Sequence, residues 1–415
     1  MAGQRKPAAP AGLETSAVTP SVSPSDAEPR RILHVFRAPV GGLFRHVVDL
    51  ARLQAAAGHR VGIVCDATTG GERAVQALSD LAPCLALGVT RIPMRRNPHP
   101  SDLACLRAVA ARAEAVAADV LHGHGAKGGA YARLAAVPGG RSVIRAYTPH
   151  GGSYNYRPGS LLHRVYMGAE GLLARRTDVF LFESEYVAGR HRAYVGTHGR
   201  VSRIVHNGLS EAEFAPLTPA ADPFDLLYVG ELREAKGLPI LLQALALLRE
   251  EGRSVRLLMV GSGPDAGLLQ AKAEALGLAG AIAFEPAQNI RSVLARGRIM
   301  VVPSFAESLP YVVLEAAAAA QPLVATDVGG IPEIFGSAAG DLVPARDPIA
   351  LQRAIARVLD EAPESRAARF RTLSDSVRQR FSMKRMGADV LSGYAAAFRA
   401  RRPGASAEPA RVEAA

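Results

Sequence analysis

The chain has 415 residues, of which 48% are apolar and 21% charged, and its formal net charge is +11. This length and apolar content are enough for two or three domains with large cores, and no apolar run approaches the roughly 20 residues that span a bilayer. The low aromatic content, 5%, and the lack of a recognisable motif disfavour a nucleic-acid-binding protein.

The positive charge is concentrated in the first half of the chain. Residues 31–210 contain 23 basic and 11 acidic residues, whereas residues 211–385 contain 19 and 21. A basic half favours an anionic partner, such as a lipid head group or a diphosphate. A general arginine bias is the alternative, since 44 of the 49 basic residues are Arg, but it would not confine the excess to one half.

Both ends of the chain have the composition of disordered tails. Residues 1–30 lack the apolar stretch of a signal peptide and, like residues 401–415, are rich in small residues and proline. The three cysteines, Cys65, Cys84 and Cys105, show neither disulfide nor metal-ligand spacing. We therefore expect a reducing, cytoplasmic location.

Between these tails, strand-like and helix-like segments alternate. Apolar strands are predicted at residues 31–36, 60–65, 119–122, 142–147 and 178–182, and again at 225–229, 255–260, 281–284, 299–303 and 323–326. Short apolar strands separated by helices are typical of parallel sheets covered on both faces. We predict an α/β fold with two doubly wound, Rossmann-like domains, 31–210 and 211–385, facing each other across a cleft. The proline-containing stretch 207–223 is the predicted linker.

In doubly wound sheets, ligands bind at the carboxyl ends of the strands, so the turns there should carry the chemistry. The first predicted strand leads into Gly41 and Gly42 and then into a helix. Paired glycines let the backbone approach a ligand, and the helix N-terminus offers N–H groups to an anion. The same pattern also suits a plain tight turn.

Histidines follow two consecutive predicted strands. His122, His124 and Lys127 lie in one glycine-rich turn, and His150 precedes two glycines in the next. A metal pair at His122 and His124 is one alternative, but no nearby Cys or carboxylate completes a site. Ordinary turn chemistry is another. Two strands that present His beside Gly at one edge favour a converging site that contacts substrate.

Two turns of the second half have features of phosphate- or nucleotide-binding loops. Arg233 and Lys236 place positive charge at a strand-to-helix turn, which suits a diphosphate unless the turn is simply exposed. Gly261 and Gly263 fit a loose form of the dinucleotide fingerprint, which leaves a nicotinamide- or flavin-dependent oxidoreductase as an alternative. That fingerprint normally follows the first strand of its domain, and this turn follows the second.

The turn and helix at residues 304–315 give the strongest signal. Ser308 is the predicted helix N-cap, which leaves free N–H groups around Ser308 and Leu309 to face a bound phosphate. Glu307 lies in the loop and Glu315 within the helix, about 8 Å or more along its axis. Carboxylates so far apart cannot share one proton transfer, but they could hold the sugar and the ribose of one nucleotide sugar.

At these residues the sequence resembles the retaining glycosyltransferases of family 4, which have the GT-B fold. The family motif, two Glu separated by seven residues, matches Glu307 and Glu315, and the resemblance covers residues 31–394. The other matching segments are residues 41–42, 122–124, 206–208, 230–237, 261–263 and 329–333. The resemblance therefore implies a hexosyltransferase that uses a nucleotide-diphosphate sugar.

The resemblance also implies roles for single residues. Glu307 would contact the donor sugar, Glu315 the ribose and Lys236 the diphosphate, and His124 would face the reacting centre. Catalysis would rest on His124, Lys236 and Glu307. The donor-binding set would be Gly41, Gly42, Arg233, Lys236, Gly261, Gly263, Ser308, Leu309 and Glu315, and the acceptor-binding set His122, Lys127 and His150.

The implied mechanism is attack on the front face of the donor, with the leaving phosphate helping to take the acceptor proton. It requires no protein nucleophile, no cofactor and no metal. Relatives commonly have arginine at the position of Glu231, so Arg233 would have to replace that phosphate ligand. A UDP-sugar epimerase of the same fold is an alternative that would need no acceptor.

The acceptor is expected to bind the basic N-terminal domain. A lipid-linked or polysaccharide acceptor would fit cell-envelope or exopolysaccharide synthesis at the inner face of a membrane. The basic, leucine-rich segment 161–176 motivates contact with an anionic membrane surface, and a buried helix is the alternative. A C-terminal helix at 386–400 could cross back to the N-terminal domain.

Overall fold

A computed structural model of the chain describes residues 28–137, 142–197 and 200–401. The tails predicted at 1–30 and 401–415 fall almost entirely outside these ranges. Within the described ranges, every helix is too short or too polar to cross a membrane.

The N-terminal domain is built on one parallel sheet flanked by helices. Its strands are β1 (Arg31–Phe36), β2 (Arg60–Asp66), β3 (Val89–Ile92), β4 (Val120–His124), β5 (Ile144–Thr148), β6 (Val179–Phe182) and β7 (Val201–Ile204). The strand order is β3-β2-β1-β4-β5-β6-β7, with every neighbouring pair parallel. The helices are α1 (Gly41–Ala56), α2 (Gly71–Leu81), α3 (Asp102–Ala115), α4 (Gly125–Leu134), α5 (Leu161–Ala174) and α6 (Glu185–Tyr194).

The C-terminal domain repeats this plan with a smaller sheet. Its strands are β8 (Phe224–Val229), β9 (Leu257–Val260), β10 (Ile282–Glu285), β11 (Gly297–Val302) and β12 (Leu323–Ala325). The strand order is β10-β9-β8-β11-β12, again all parallel. The helices that follow β8 are α7 (Leu238–Glu250), α8 (Ala266–Ala275), α9 (Ile290–Leu294), α10 (Tyr311–Ala318), α11 (Ile331–Phe335), α12 (Pro348–Asp360), α13 (Pro363–Arg380) and α14 (Met383–Ala400).

These two sheets confirm the predicted doubly wound α/β class. Central strands such as β4 and β9 are buried along their whole length, because helices cover both faces of each sheet. The strand order reverses between β1 and β4 in the first sheet and between β8 and β11 in the second. Ligands of such folds bind in the crevice beyond the carboxyl ends of the strands at this reversal.

Two strands of the first sheet are not predicted by the sequence patterns. Both β3 and β7 are edge strands of four residues, and each of their residues is at least partly exposed. An edge strand has a partner on one side only and less cover from helices, so its sequence need not be a continuous apolar run. The pattern used to find strands therefore missed them.

The last helix, α14, belongs to the core of the N-terminal domain. Its buried residues Met386, Val390 and Tyr394 pack against Ile32 and Leu50 of β1 and α1. The chain therefore passes between the domains twice, once near residue 209 and once near residue 382. At this double crossing the backbones of Leu209 and Met383 are hydrogen-bonded at 3.0 Å.

Candidate functional site

Turns at the carboxyl ends of the strands of the two sheets face each other across the domain boundary. A Cβ added to Gly42, after β1, would lie 3.2 Å from the ring of Tyr311 at the start of α10. A Cβ added to Gly151, after β5, would lie 2.8 Å from Cβ of Ser308. The glycine turn of the first sheet thus lies against the loop that precedes α10 in the second.

Helix α10 begins later than the sequence predicts. Its first residue is Tyr311 and its N-cap is Pro310, without a side-chain cap, so the prediction that Ser308 caps the helix is wrong. Ser308 instead belongs to the preceding loop, where its carbonyl accepts the N–H of Gly330 at 2.7 Å. A Cβ at Gly329 would come within 1.9 Å of the Glu307 carbonyl, so glycine there allows this close approach.

Lys236 and Glu307 form a direct ion pair. Lys236 Nζ lies 2.6 Å from Glu307 Oε1, and Ser304 Oγ donates to the same oxygen at 2.7 Å. The backbone N–H of Phe305 also bonds the Ala235 carbonyl at 2.9 Å, which joins the turns after β8 and β11. The cation and carboxylate singled out from the sequence therefore share one small polar site.

Glu315 is tied to the opposite domain by an arginine that the sequence analysis did not select. Arg45 of α1 bonds both Glu315 and Glu213, and its guanidinium lies 4.3 Å from the centre of the Tyr311 ring. Burial raises the pKa of Glu315 to about 7, although Arg45 opposes the shift. Arg45 lies about one helical turn beyond Gly42, and this spacing could have identified it from the sequence.

The other predicted donor residues lie in the turns after β8 and β9. A Cβ at Gly261 would meet the Gly230 carbonyl at 1.8 Å, and a Cβ at Gly263 would meet the Leu232 carbonyl at 2.2 Å. Both glycines therefore allow two turns of the domain to pack together. Arg233 lies 3.1 Å from Glu231, and both side chains are about half exposed.

His124 is the middle member of a chain of hydrogen-bonded histidines. Gln54 donates its amide to Tyr394, so its Oε1 accepts from His34 Nε2 at 2.8 Å. His34 Nδ1 then accepts from His124 Nε2 at 2.9 Å, and His124 Nδ1 accepts from His150 Nε2 at 3.1 Å. Burial lowers the pKa of His34 to about 4 and holds the pKa of His124 and His150 well below the ordinary value. The three imidazoles are therefore neutral at pH 7.

His46 extends this group towards the donor loop. Asn207 donates its amide to the Leu309 carbonyl at 2.8 Å, so its Oδ1 accepts from His46 Nδ1 at 3.0 Å. His46 Nε2 is therefore the unprotonated ring nitrogen, and it is buried without a hydrogen-bond partner among the described residues. The ligand nitrogens of His46, His124 and His150 lie within 4.8 Å of one another, so the three rings could hold a transition metal if the His124–His150 hydrogen bond opened. As the rings stand, His46 Nε2 is free to accept a substrate hydroxyl. The sequence analysis considered only the His122–His124 pair.

His122 and Lys127 are engaged within the N-terminal domain. His122 is fully buried, and its two ring nitrogens bond Thr148 Oγ1 at 2.9 Å and the Tyr394 hydroxyl at 2.7 Å. Lys127 pairs with Asp102 at 2.6 Å and so is anchored to α3. Among the described residues neither side chain is hydrogen-bonded to His150, and their predicted acceptor contacts remain predictions.

Glu183, directly after β6, is a carboxylate that the sequence analysis overlooked. It is fully buried, and neither carboxylate oxygen has a hydrogen-bond partner of good geometry among the described residues. Burial raises its pKa to about 7, while the backbone of His150 and Gly151 and the Ser308 hydroxyl partly offset this. A polar residue directly after an apolar strand was the signal used at the other strands, and it applies here too.

We expect Glu183→Gln to raise the melting temperature at about pH 8 and to leave it nearly unchanged at about pH 5. A raised carboxyl pKa favours the folded state below the ordinary value of 4.5, and this contribution is lost as pH rises to about 7. The shift corresponds to roughly 3 kcal/mol at most. Differential scanning calorimetry at both pH values, with exposed Glu364→Gln as control, measures it. Equal effects of Glu183→Gln at the two pH values would contradict the argument.

Two family models match the chain, and their ranges meet at residues 210–213. The model for "Glycosyltransferase Family 4" matches residues 40–213, and the model for "Glycosyl transferases group 1" matches residues 210–372. The matched ranges contain the residues of the N-terminal and C-terminal turns described above.

Comparison with individual proteins agrees with these matches. EpsD of Bacillus subtilis (strain 168), named as a glycosyltransferase, is 31% identical over 263 residues, which is 59% of this chain and 68% of EpsD. WcaL of Escherichia coli (strain K12), named as a colanic acid biosynthesis glycosyltransferase, is 29% identical over 196 residues, 44% of this chain and 48% of WcaL. The crystal structure of Anabaena Alr3699/HepE in complex with UDP-glucose superposes with a TM-score of 0.73 at 17% identity, covering 88% of this chain and all of HepE. That likeness confirms the predicted GT-B fold.

Proposed function

The chain belongs to the family 4 glycosyltransferases, and from this premise we propose that it transfers a sugar from a nucleotide-diphosphate donor to a lipid-linked or polysaccharide acceptor. The donor would bind the C-terminal domain and the acceptor the N-terminal domain. The relative WcaL is named for colanic acid biosynthesis, and HepE was crystallised with UDP-glucose. Both support the proposed classes of donor and acceptor.

One observation carries the donor half of the proposal. Lys236, Glu307 and the N-terminus of α10 meet at the strand-order reversal of the second sheet, opposite the Gly41–Gly42 turn of the first. An ammonium group and free N–H groups at one point favour a diphosphate. On binding, the donor would break the ion pair between Lys236 and Glu307. Lys236 would then bind the phosphates, and Glu307 would bind the sugar hydroxyls.

Stabilisation of the chain by donors tests this assignment. The melting temperature should rise with one class of UDP- or GDP-sugar, because a ligand that binds only the folded state stabilises it. Glu315→Ala and Lys236→Ala should each reduce that rise, and the exposed Lys384→Ala should leave it unchanged. A rise that survives both site changes would refute the donor site.

On the acceptor side, the neutral histidines favour positioning of a hydroxyl group. His46 offers its unpartnered Nε2 close to the ring nitrogens of His124 and His150, and burial keeps all three rings uncharged at pH 7. A neutral imidazole can accept a hydrogen bond from an acceptor hydroxyl without adding positive charge beside the departing sugar. The leaving phosphate, held by Lys236, would then take the proton in a front-face attack.

The nucleotide-sugar epimerase alternative predicts a different dependence on acceptor. An epimerase turns over its UDP-sugar without an acceptor, whereas a transferase releases nucleoside diphosphate in proportion to the acceptor supplied. A coupled assay for free nucleoside diphosphate, with and without a lipid extract as acceptor, therefore separates the two.

Helix α5 supports a membrane-bound acceptor. Four large apolar side chains of this helix are exposed, on the side opposite to its buried residues: Leu161, Leu162, Val165 and Leu172. Arg164 lies on the same helix, and Arg175 and Arg176 follow it directly. An exposed apolar face flanked by basic residues is typical of helices that lie in a membrane interface.

Flotation with vesicles of phosphatidylglycerol and phosphatidylcholine tests this face. Binding should fall when Leu161, Val165 and Leu172 are changed together to Gln. The matched control changes three isolated exposed apolar residues, Leu103, Leu268 and Ile349, to Gln, and it should bind like the unmodified chain. No binding of the unmodified chain to these vesicles at physiological salt would reject the membrane proposal.

We expect transfer to proceed without a metal ion, because Lys236 and the N–H groups before α10 can meet the charge of the diphosphate. Treatment with EDTA, followed by gel filtration into metal-free buffer, should therefore leave kcat within about twofold of its initial value. If EDTA does abolish activity, His46, His124 and His150 are the residues that would hold the metal. A catalytic metal would be assigned there if Zn²⁺ restored the activity of the EDTA-treated protein but did not restore the activity of a His46→Ala variant.

A further inference from the structure

A second polar pocket lies at the opposite edge of the N-terminal sheet from the cleft. It has a volume of about 360 Å³ and is lined by Arg145, Arg175, Arg176, Asp178, Arg200 and Arg401. These residues come from the amino-terminal ends of β5, β6 and β7 and from the carboxyl-terminal ends of α5 and α14. The proposed donor and acceptor residues lie at the carboxyl ends of the strands, so this pocket has no part in the transfer site.

The pocket concentrates positive charge. Among the described residues that line it, five arginines face one aspartate, a formal charge of +4. Asp178 is already used, because it holds Arg401 through two bonds of 2.6 and 2.9 Å and also accepts the backbone N–H of Arg145. Like charges held together without counter-charge repel one another, so the bare pocket costs folding energy.

Several guanidinium N–H groups in the pocket have no acceptor among the residues that the structure describes. Arg145 Nε is buried without a partner among the described residues, and burial together with Arg401 and Arg176 lowers the pKa of Arg145. Within the described part of the chain, the side chains of Arg175 and Arg176 have neither an ion pair nor a hydrogen bond. A buried donor without an acceptor destabilises the folded chain, and a bound anion would supply the missing acceptor.

We propose that this pocket is a binding site for a phosphate group. Guanidinium groups bind phosphate oxygens through paired, charge-assisted hydrogen bonds, and a cluster of them selects a multiply charged oxyanion. Two sources of this group fit the position of the pocket. One is free phosphate or a soluble phosphate ester, and the other is the head group of an anionic phospholipid, since Arg175 and Arg176 directly follow the exposed face of α5. The site does not depend on the proposed transfer reaction.

Titration calorimetry with inorganic phosphate tests the site itself. The Lys236→Ala background removes the cation of the cleft, so that the arginine pocket can be measured alone. In this background we expect 1:1 binding of phosphate, weakened about tenfold or more by Arg175→Gln with Arg176→Gln, since each lost charge-assisted bond weakens binding by such a factor. The matched control is Arg95→Gln with Arg96→Gln, an adjacent exposed arginine pair of the same domain. Equal phosphate binding by the Arg175/Arg176 variant and by the control would overturn the proposal.

Melting temperatures test the same site even if phosphate binds too weakly for calorimetric titration. Without phosphate, the Arg175→Gln, Arg176→Gln variant should melt at the same temperature as the unmodified chain or higher, because repulsion is relieved. Phosphate should raise the melting temperature of the unmodified chain and of the Arg95/Arg96 control, but not of this variant. A decrease in stability of the variant without phosphate, together with an unchanged response to phosphate, would show a structural role and overturn the site.

Vesicle flotation distinguishes the two sources. If the ligand is a lipid head group, the Arg175/Arg176 variant should lose binding to phosphatidylglycerol vesicles, and free phosphate should displace the unmodified chain from them. If the ligand is soluble, the variant should float like the unmodified chain and still fail to bind phosphate. Either result supports the phosphate site, because in both cases the Arg175/Arg176 variant must also have lost phosphate binding in the calorimetric test.

Discussion

Lys236→Ala is expected to lower kcat/KM by about 10²–10³-fold, the usual cost of removing one group that stabilises developing negative charge. Lys236 Nζ lies 2.6 Å from Glu307 Oε1 in the loop before α10. Once the donor occupies the site, Lys236 would face the diphosphate, whose charge grows as the sugar departs. The loss should appear mainly in kcat, because the interaction strengthens in the transition state. Steady-state kinetics with the donor found by thermal shift measures it.

Two further variants sharpen this result. Lys236→Arg should restore only part of the activity, since a planar guanidinium does not fill the position of a compact ammonium. Arg233→Ala asks whether this arginine replaces the one displaced by Glu231, and a loss beyond about tenfold would assign Arg233 to the phosphate. Lys236→Ala with nearly full activity would mean that the diphosphate binds elsewhere, and the donor assignment would be wrong.

Arg45→Ala is expected to destabilise the protein by roughly 2 kcal/mol, because it leaves partly buried carboxylates without their cation. Arg45 connects α1 with Glu315 and Glu213, and Asp49 lies 3.4 Å from it. Burial raises the pKa of Glu315 to about 7 even with Arg45 present, so the loss should be larger at about pH 8 than at about pH 6. Calorimetric melting at both pH values measures it.

A second change in the same cluster separates this explanation from a general packing defect. Glu315→Gln in the Arg45→Ala background should recover part of the lost stability at the higher pH, because one of the unpaired charges is gone. Such coupling between adjacent groups is commonly 0.5–3 kcal/mol, so about 1 kcal/mol is expected here. Strictly additive effects of the two changes would show that Arg45 stabilises the domain boundary by packing alone.

The sequence predicted the fold class and the loops of the site because both depend on local patterns. Apolar strands that are buried on both faces form short continuous runs, and glycine or polar residues follow them where the chain turns. Glu307, Glu315 and Lys236 could be selected in this way, and the structure brings Lys236 and Glu307 into direct contact. The two edge strands, β3 and β7, lack such a run and escaped notice.

Contacts between the two domains could not be predicted from one sequence. Arg45 and Glu315 are 270 positions apart, and nothing in either local pattern indicates that they pair. The same holds for His46 and Asn207, whose contact fixes which ring nitrogen of His46 is free. The sequence analysis also placed the start of α10 too early. Serine is a favoured N-cap residue, but the Ser308 carbonyl accepts the N–H of Gly330, and this bond keeps Ser308 in the loop. At this position a tertiary contact outweighs the preference of serine for the N-cap.

The return of α14 to the N-terminal domain changes how the two halves could be exchanged between relatives. Residues from about 210 to 382 form an insertion in the first domain, and the two crossing points are joined by the Leu209–Met383 backbone bond. A chimera cut once near residue 210 would combine a foreign α14 with the core residues Ile32 and Leu50. A chimera cut at both crossing points would keep that core intact. Donor preference should therefore be transferable as an internal cassette, with α14 left in place.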